Sequence, residues 1–264
     1  MKKIIFAWIP LFFILSTQYF AHASELNAPN GLAVDHFGNI YIADTENHQI
    51  KKLNSKGELS TIGGDFKYPN AVAVDSQGQV YVADTGHSEI KKISADGITQ
   101  SVGSGLSYPF GIAVDPSGNL WVSDTGNSVI KKISPAGEVA ALKSKVEDPN
   151  GIAVDVQGNV YVADTNKHAI KKISVHGEVS RIGSGYSFPR GVAVDFLGNV
   201  FVADTGNHVI KKIDPDGNIT VYDEGFSGPY GVALDLMGNI YVSDTGHNAL
   251  KKITPEGVVS TLLH

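Results

Sequence analysis

An all-β chain of six like units closed into a ring is what this sequence predicts, on three observations. From Ala28 onward the chain repeats with a period of 40 residues. Proline marks each copy, at Pro29, Pro69, Pro109, Pro149, Pro189 and Pro229. Two residues later comes Gly-hydrophobic-Ala-Val-Asp, from Gly31, Gly111, Gly151 and Gly191; Ala71 replaces the glycine in copy two, and copy six reads Ala-Leu-Asp after Gly231. Each copy also divides into four short apolar runs separated by turn residues, and no run has helical length. Periods of this size mean repeat architectures. Four antiparallel strands per unit and six units give a six-bladed β-propeller. One such unit cannot bury both its faces, so its neighbours must cover them. A parallel β-helix is the alternative, but its repeats are shorter and lack the regular hairpin turns.

Copy three shows the elements in order. Gly111 to Val114 is the first run and ends at Asp115; Pro116-Ser117-Gly118-Asn119 turns the chain, with glycine available for positive φ. Leu120 to Ser123 is the second run and Asp124-Thr125-Gly126-Asn127 the next loop. Val129 to Ile133 is the third, and Glu138 to Leu142 the fourth, after the turn Ser134-Pro135-Ala136-Gly137. The first two runs are continuously apolar and so buried on both faces. The outer two alternate and carry charge. Copy one begins with its innermost strand and copy six ends with its own fourth, so the ring is expected to close by packing, without a strand exchanged between the ends.

Residues 1–23 stand outside the repeat. Lys2 and Lys3, the apolar stretch Ile4 to Leu15 and Ala21-His22-Ala23 have the order of a secretory signal peptide cut before Ser24. A retained anchor is the competing reading, but the stretch is short for the ~20 residues that a span needs. The expected organisation is a signal peptide over 1–23 and a propeller domain over 24–264, in a periplasmic or secreted protein with no membrane span after cleavage. Loss of Lys2 and Lys3 takes the formal charge from −6 to −8. That disfavours a nucleic-acid partner, whose phosphates are held by many Lys and Arg. The absence of cysteine excludes thiol catalysis, iron–sulfur clusters and thiolate zinc sites.

The recurrent motifs add a family resemblance. Asp44-Thr45-Glu46-Asn47-His48-Gln49-Ile50, Asp204-Thr205-Gly206-Asn207-His208-Val209-Ile210 and the preceding Gly198-Asn199-Val200-Phe201-Val202-Ala203 resemble the NHL repeat. The resemblance covers residues 28–264 and implies six blades. It implies no single activity, because similar repeats serve as RNA- and protein-binding domains, as extracytoplasmic sensors and as the scaffold of an amidating lyase.

Polar residues present in every copy are expected to be architecture. Asp44, Asp84, Asp124, Asp164, Asp204 and Asp244 each open a tight loop, where a carboxylate accepts backbone N–H groups. Asp35, Asp75, Asp115, Asp155, Asp195 and Asp235 precede the Gly-Asn turns in the same way. His48, His168 and His208, with His87 and His247 one residue earlier, could suggest a metal, but they lie on separate blades. One side chain of each Lys-Lys pair is expected to lie along apolar surface with its ammonium in water. The slot after Asp-Thr is glycine in four copies, Asn166 in copy four and Glu46 in copy one. Either that slot does not need positive φ, or copy one bends differently.

Function is expected where the copies differ. After each proline stand Asn30, Asn70, Phe110, Asn150, Arg190 and Tyr230; before it stand Ala28, Tyr68, Tyr108, Asp148, Phe188 and Gly228. Together they should ring one mouth of the central channel with aromatic and polar groups and one arginine, the residue types of binding hot spots. The ligand-binding residues expected are Tyr68, Tyr108, Phe110, Phe188, Arg190, Tyr230, Asn30, Asn70 and Asn150. The main expectation is a monomeric binding module that takes a protein, small-molecule or glycan ligand on this face. No cofactor is expected; a channel cation such as calcium would accompany the alternative, an enzyme of the lyase or lactonase type. A structural or assembly role is a third reading. In the amidating lyase and in streptogramin lyase, a similar propeller, essential histidines follow this proline, and none of the six slots here is His. Streptogramin lyase repeats also read Trp-Phe-Thr-Glu where this chain has Tyr161-Val162-Ala163-Asp164. Both departures count against lyase chemistry. Glu147 and Asp148 near the rim are the one acidic pair that could bind a cation.

Overall fold

The computed structural model describes residues 25–142 and 145–264; the expected signal peptide lies outside them. Six four-stranded antiparallel sheets, each made of four consecutive strands, form the blades. In copy three the strands are Pro109–Val114, Leu120–Asp124, Val129–Ile133 and Val139–Leu142. Every second strand is buried along its whole length, as in Leu120–Asp124 and Val160–Asp164. The fourth strands, such as Val139–Leu142, lie at the exposed rim. Helical turns among the described residues are five three-residue 3₁₀ segments at the Asp-Thr loops, such as Thr125–Asn127.

The core lies between blades. Tyr161, Ala163 and Ile170 of blade four pack on Val192, Val200, Val202 and Ile213 of blade five. Equivalent clusters sit at the other joints. At the axis the first strands approach so closely that most admit only glycine after the proline dipeptide. A Cβ on Gly111 would lie 2.2 Å from the Asn150 carbonyl oxygen, and one on Gly151 would lie 2.3 Å from that of Arg190.

The repeated polar residues are the joints themselves. Each Asp-Thr aspartate is fully buried. In copy three Asp124 Oδ1 accepts the Ser107 N–H at 2.6 Å, and Oδ2 accepts Asn127 Nδ2 at 2.8 Å. His87 and His247 take the asparagine's part against Asp84 and Asp244. The threonine reaches the next blade. Its Oγ1 donates to the carbonyl of the next proline, from Thr45 to Pro69 through to Thr245 to Pro29. His48, His168 and His208 are joints too. Each takes a left-handed φ of 49° to 59°, and Nδ1 accepts the N–H of Tyr68, Phe188 or Gly228 at 2.8 to 3.0 Å.

The open question about the slot after Asp-Thr is settled by these contacts. Gly86, Gly126, Gly206 and Gly246 do not have positive φ. They are small because a Cβ would lie 2.4 to 2.8 Å from the carbonyl oxygen of residue 67, 107, 187 or 227. In copy one the Glu46 N–H bonds the Asn27 carbonyl at 3.1 Å. In copy four, with Asn166 in the slot, the bond shifts to Thr165 N–H and the Asp148 carbonyl.

The lysine pairs differ from expectation. The second lysine does sit over an aromatic ring of the second strand, from Lys52 over Tyr41 to Lys252 over Tyr241, at 5.0 to 5.8 Å. The first lysine instead turns inward. Lys91, Lys131, Lys171, Lys211 and Lys251 pair with the buried aspartate of their own blade at 2.5 to 2.9 Å. A buried carboxylate needs such a partner. Lys51 instead donates to Thr61 Oγ1.

Closure follows the expected route. Among the described residues no strand is exchanged; the fourth strand of blade six, Val259–Leu263, pairs with its own third strand. Leu26 is fully buried in the cluster between blades six and one. The Glu25 N–H donates to the His264 carbonyl at 2.8 Å, one period from where residues 64 and 65 are covalently joined. Thr245 therefore holds a joint that no peptide bond crosses. Thr245→Val keeps the shape but strands the Pro29 carbonyl, a loss of about 1–3 kcal/mol. Calorimetry should show a fall of a few degrees in Tm, while Thr245→Ser should stay near wild type.

Candidate functional site

The first strands run with their proline ends toward one mouth of the channel, and the slot after proline points into it. Asn30, Asn70 and Asn150 are buried there; Phe110, Arg190 and Tyr230 are half-buried. Asn30 Nδ2 donates to Asn70 Oδ1 at 2.8 Å, and Asn70 Nδ2 to Thr85 Oγ1 at 3.1 Å. Tyr230 spans the channel. Its hydroxyl lies 3.4 Å from Asn70 Oδ1 of blade two and 3.4 Å from Asn150 Oδ1 of blade four. Its single proton can serve only one of them at a time. Arg190 Nη1 donates to the Tyr230 hydroxyl at 3.3 Å, with the guanidinium 5.0 Å from the ring centre.

Electrostatics keep this tyrosine protonated. Burial pushes its hydroxyl up, Arg190 partly offsets that, and the Asp148 carboxylate adds to the rise. The Arg190 cation and the Asp148 carboxylate thus both act on this neutral O–H donor. Asp148 holds the pre-proline slot of copy four, the slot whose geometry differs. Ala28, Tyr68, Tyr108, Phe188 and Gly228 have left-handed φ of 46° to 56°, and Asp148 does not. Its N–H is held by Asp164 Oδ1 at 3.0 Å.

The nine expected residues therefore fall into two tiers. Asn70, Phe110, Asn150, Arg190 and Tyr230 line the inner mouth, and Asn30 backs them through its bond to Asn70. Tyr68, Tyr108 and Phe188 stand outside it on the rim, 42%, 59% and 48% exposed, and a ligand would meet them first. Tyr68 and Phe188 pack edge-on against His48 and His168, with ring centres 4.4 Å apart. The space left inside is about 50 Å³, against roughly 300–1,000 Å³ for a pocket that encloses a ligand. A ligand larger than that can only lie over the mouth. Sequence reasoning missed the Tyr230–Arg190 contact, which joins residues 40 apart, and the weight of Asp148.

One group among the described residues brings three metal-capable atoms together: Asp84, His87 and Glu89 of blade two. Lys91 Nζ already lies 2.9 Å from Asp84 Oδ2 and 3.4 Å from Glu89 Oε1. That ammonium supplies the positive charge a cation would bring. Glu147 pairs with Lys167 at 2.7 Å rather than with Asp148.

Comparison with known proteins gives the scaffold a family. Residues 16–262 match the Virginiamycin B lyase family. The chain belongs to that family. The expected NHL assignment is compatible with the same propeller but is not the family matched. No curated protein matches in sequence. Among solved structures, virginiamycin B lyase from Staphylococcus aureus is 18% identical, with 88% of this chain and 83% of that chain covered and a TM-score of 0.71. A gluconolactonase from Xanthomonas campestris is 17% identical, with 83% and 84% covered and a TM-score of 0.75. A chain of a nidogen/laminin complex is 22% identical, with 78% and 84% covered and a TM-score of 0.69. At these identities the structural likeness is one of fold.

The carboxylates that cap the Gly-Asn turns give the propeller its pH range. Burial would raise Asp35 and Asp115, but Asn39 and Asn119, backbone N–H groups and Tyr41 or Trp121 hold both below the ordinary value. The unfolded chain then binds more protons, so their contribution is complete above about pH 3.9 and falls as acid drives the pH through the lower folded value. Tyr241 moves the other way, pushed up to about 12 by burial and by Asp235. Its contribution is complete below about pH 10 and is lost between there and 12. Tm measured against pH should be flat from about 4 to 10 and fall on both sides, and Tyr241→Phe should soften the alkaline fall.

Proposed function

We propose that this protein is an enzyme of the lyase or lactonase type, working on a carbonyl-bearing small molecule laid over the proline-face mouth. The observation that carries this reading is the Arg190–Tyr230 pair under the influence of Asp148, on a scaffold of the Virginiamycin B lyase family. Opening an ester or lactone builds negative charge on oxygen. Arg190 and the protonated Tyr230 hydroxyl are donors for that charge, and preorganised donors of this kind are often the largest single catalytic effect. Asp148 is the carboxylate available to take a proton. Tyr68, Tyr108 and Phe188 offer apolar faces for the body of the substrate.

A second reading, a binding module without turnover, is favoured by one specific absence. None of the six slots after proline is His. A structure of the Staphylococcus aureus lyase is described as catalytically inactive through a histidine-to-alanine change, with quinupristin present. Asp148 would have to fill the role that histidine holds in that protein.

Turnover separates the two readings. Purified protein should be incubated with quinupristin and with gluconolactone and followed by mass spectrometry. A lyase opening a ring leaves the mass unchanged, whereas hydrolysis adds one water. Conversion of either that falls about 10²–10³-fold in Arg190→Asn, with comparable loss in Asp148→Asn, supports the enzyme reading. Binding without conversion supports the module, and conversion that is unchanged in both variants removes the proposed site.

A further inference from the structure

The face opposite the proline mouth carries a cleft between blades five and six. There the turns that follow the first strands differ between copies in the slots after Asp. Copies two and three have Ser76-Gln77 and Pro116-Ser117; copies five and six have Phe196-Leu197 and Leu236-Met237. These four side chains are 64% to 78% exposed. They flank this cleft, of about 430 Å³, which Phe201, Tyr222 and Lys212 also line. The cleft between blades one and two is lined by such polar residues as Gln77, Gln79 and Asp96; that between blades four and five shares Phe196 and Leu197 but adds Gln157, Asn159 and Arg181, and its turn aspartate, Asp155, is already bonded by the Tyr161 hydroxyl.

The repeat supplies an internal comparison at the floor of this cleft. In five copies the turn aspartate's Oδ2 accepts a donor from the second strand: Tyr41, Tyr81, Trp121, Tyr161 or Tyr241, at 3.0 to 3.4 Å. Copy five has Phe201 in that slot. Asp195 Oδ2 keeps only Asn199 Nδ2, at 2.7 Å. A carboxylate oxygen has more acceptor capacity than one bond uses, and Asp195 lines the cleft. We infer that the cleft between blades five and six binds a small molecule with an apolar, aromatic-sized body and a neutral hydroxyl, which donates to Asp195 in the place of the missing tyrosine hydroxyl. Lys212 argues for a neutral donor over an ammonium, because its own cation already lies over the Phe201 ring at 5.7 Å. The volume lies in the range of enclosed ligand sites. The site stands at the far end of the six-residue first strand, roughly 20 Å from the proline mouth, and does not depend on how that mouth functions.

The test uses 4-propylphenol and propylbenzene as probes, with binding read by ligand-observed NMR on the whole protein. The phenol should bind about tenfold more tightly, the worth of one hydrogen bond to a charged acceptor. Phe201→Tyr restores the residue found in four other copies, so it should fold, and it should abolish the preference. Leu236→Ser with Met237→Gln, the pair of copy two, should weaken both probes. Tyr230→Phe at the other mouth should change neither, which keeps this outcome apart from that of the proposed activity. Equal binding of the two probes, a preference that survives Phe201→Tyr, or no binding of the phenol would overturn the inference. Tm values confirm that each variant is folded.

Discussion

The threonine hydroxyl bonded to the next blade's proline carbonyl is the contact on which this ring depends. It occurs at all six joints. The last of these, Thr245 to Pro29, crosses the gap between the chain's ends. A blade with two apolar faces has no stable existence alone, so a joint matters as much as a strand. The neighbouring aspartate makes the joint rigid. Its buried carboxylate fixes the loop into its own blade and is neutralised in five copies by a lysine one strand away. Carboxylate, hydroxyl and ammonium are thus one device repeated around the axis, and no histidine or metal is needed to explain their recurrence.

That device also determines what the mouth can be. The proline whose carbonyl is latched is followed by the slot that faces the channel. Fixing the carbonyl fixes six side chains around one opening. Asn30 bonds Asn70, Asn70 bonds Thr85, and Asn150 meets the Tyr230 hydroxyl. Phe110, Arg190 and Tyr230 depart from them, and Tyr230 fills the opening that six asparagines would leave. The result is a shallow, charged, aromatic-rimmed surface with little interior volume, shaped for a ligand laid across it and not for one enclosed.

The architecture was legible because the period repeats its own evidence. Strand positions, the absence of strand exchange and the structural nature of the repeated Asp and His all followed from the same turn appearing six times. The first lysine of each pair was harder to read. Its sequence neighbours are those of a surface strand, and only the fold brings the buried aspartate within reach. The Arg190–Tyr230 contact was hidden for a similar reason: alignment by period shows that two slots share a ring, but not that a tyrosine crosses it. Asp148 was visible only as an acid near a rim. Its altered backbone goes with the bond from the Thr165 N–H to its carbonyl, a shift that copy one, with Glu46 in the same slot as Asn166, does not make. Aligning the turn slots could have exposed the cleft between blades five and six, because Phe201 is the one second-strand residue there without a donor.

The central claim is that repeated residues build the ring and unrepeated ones at the mouth act on a ligand. Its most direct test is a triple variant, Phe110→Asn with Arg190→Asn and Tyr230→Asn, which gives every blade the asparagine already present in three. Tm and conversion of the best substrate should be measured on the same preparation. The account predicts a folded propeller, melting within several degrees of wild type, with conversion lost. A variant that unfolds, or one that still converts substrate at the wild-type rate, would contradict it.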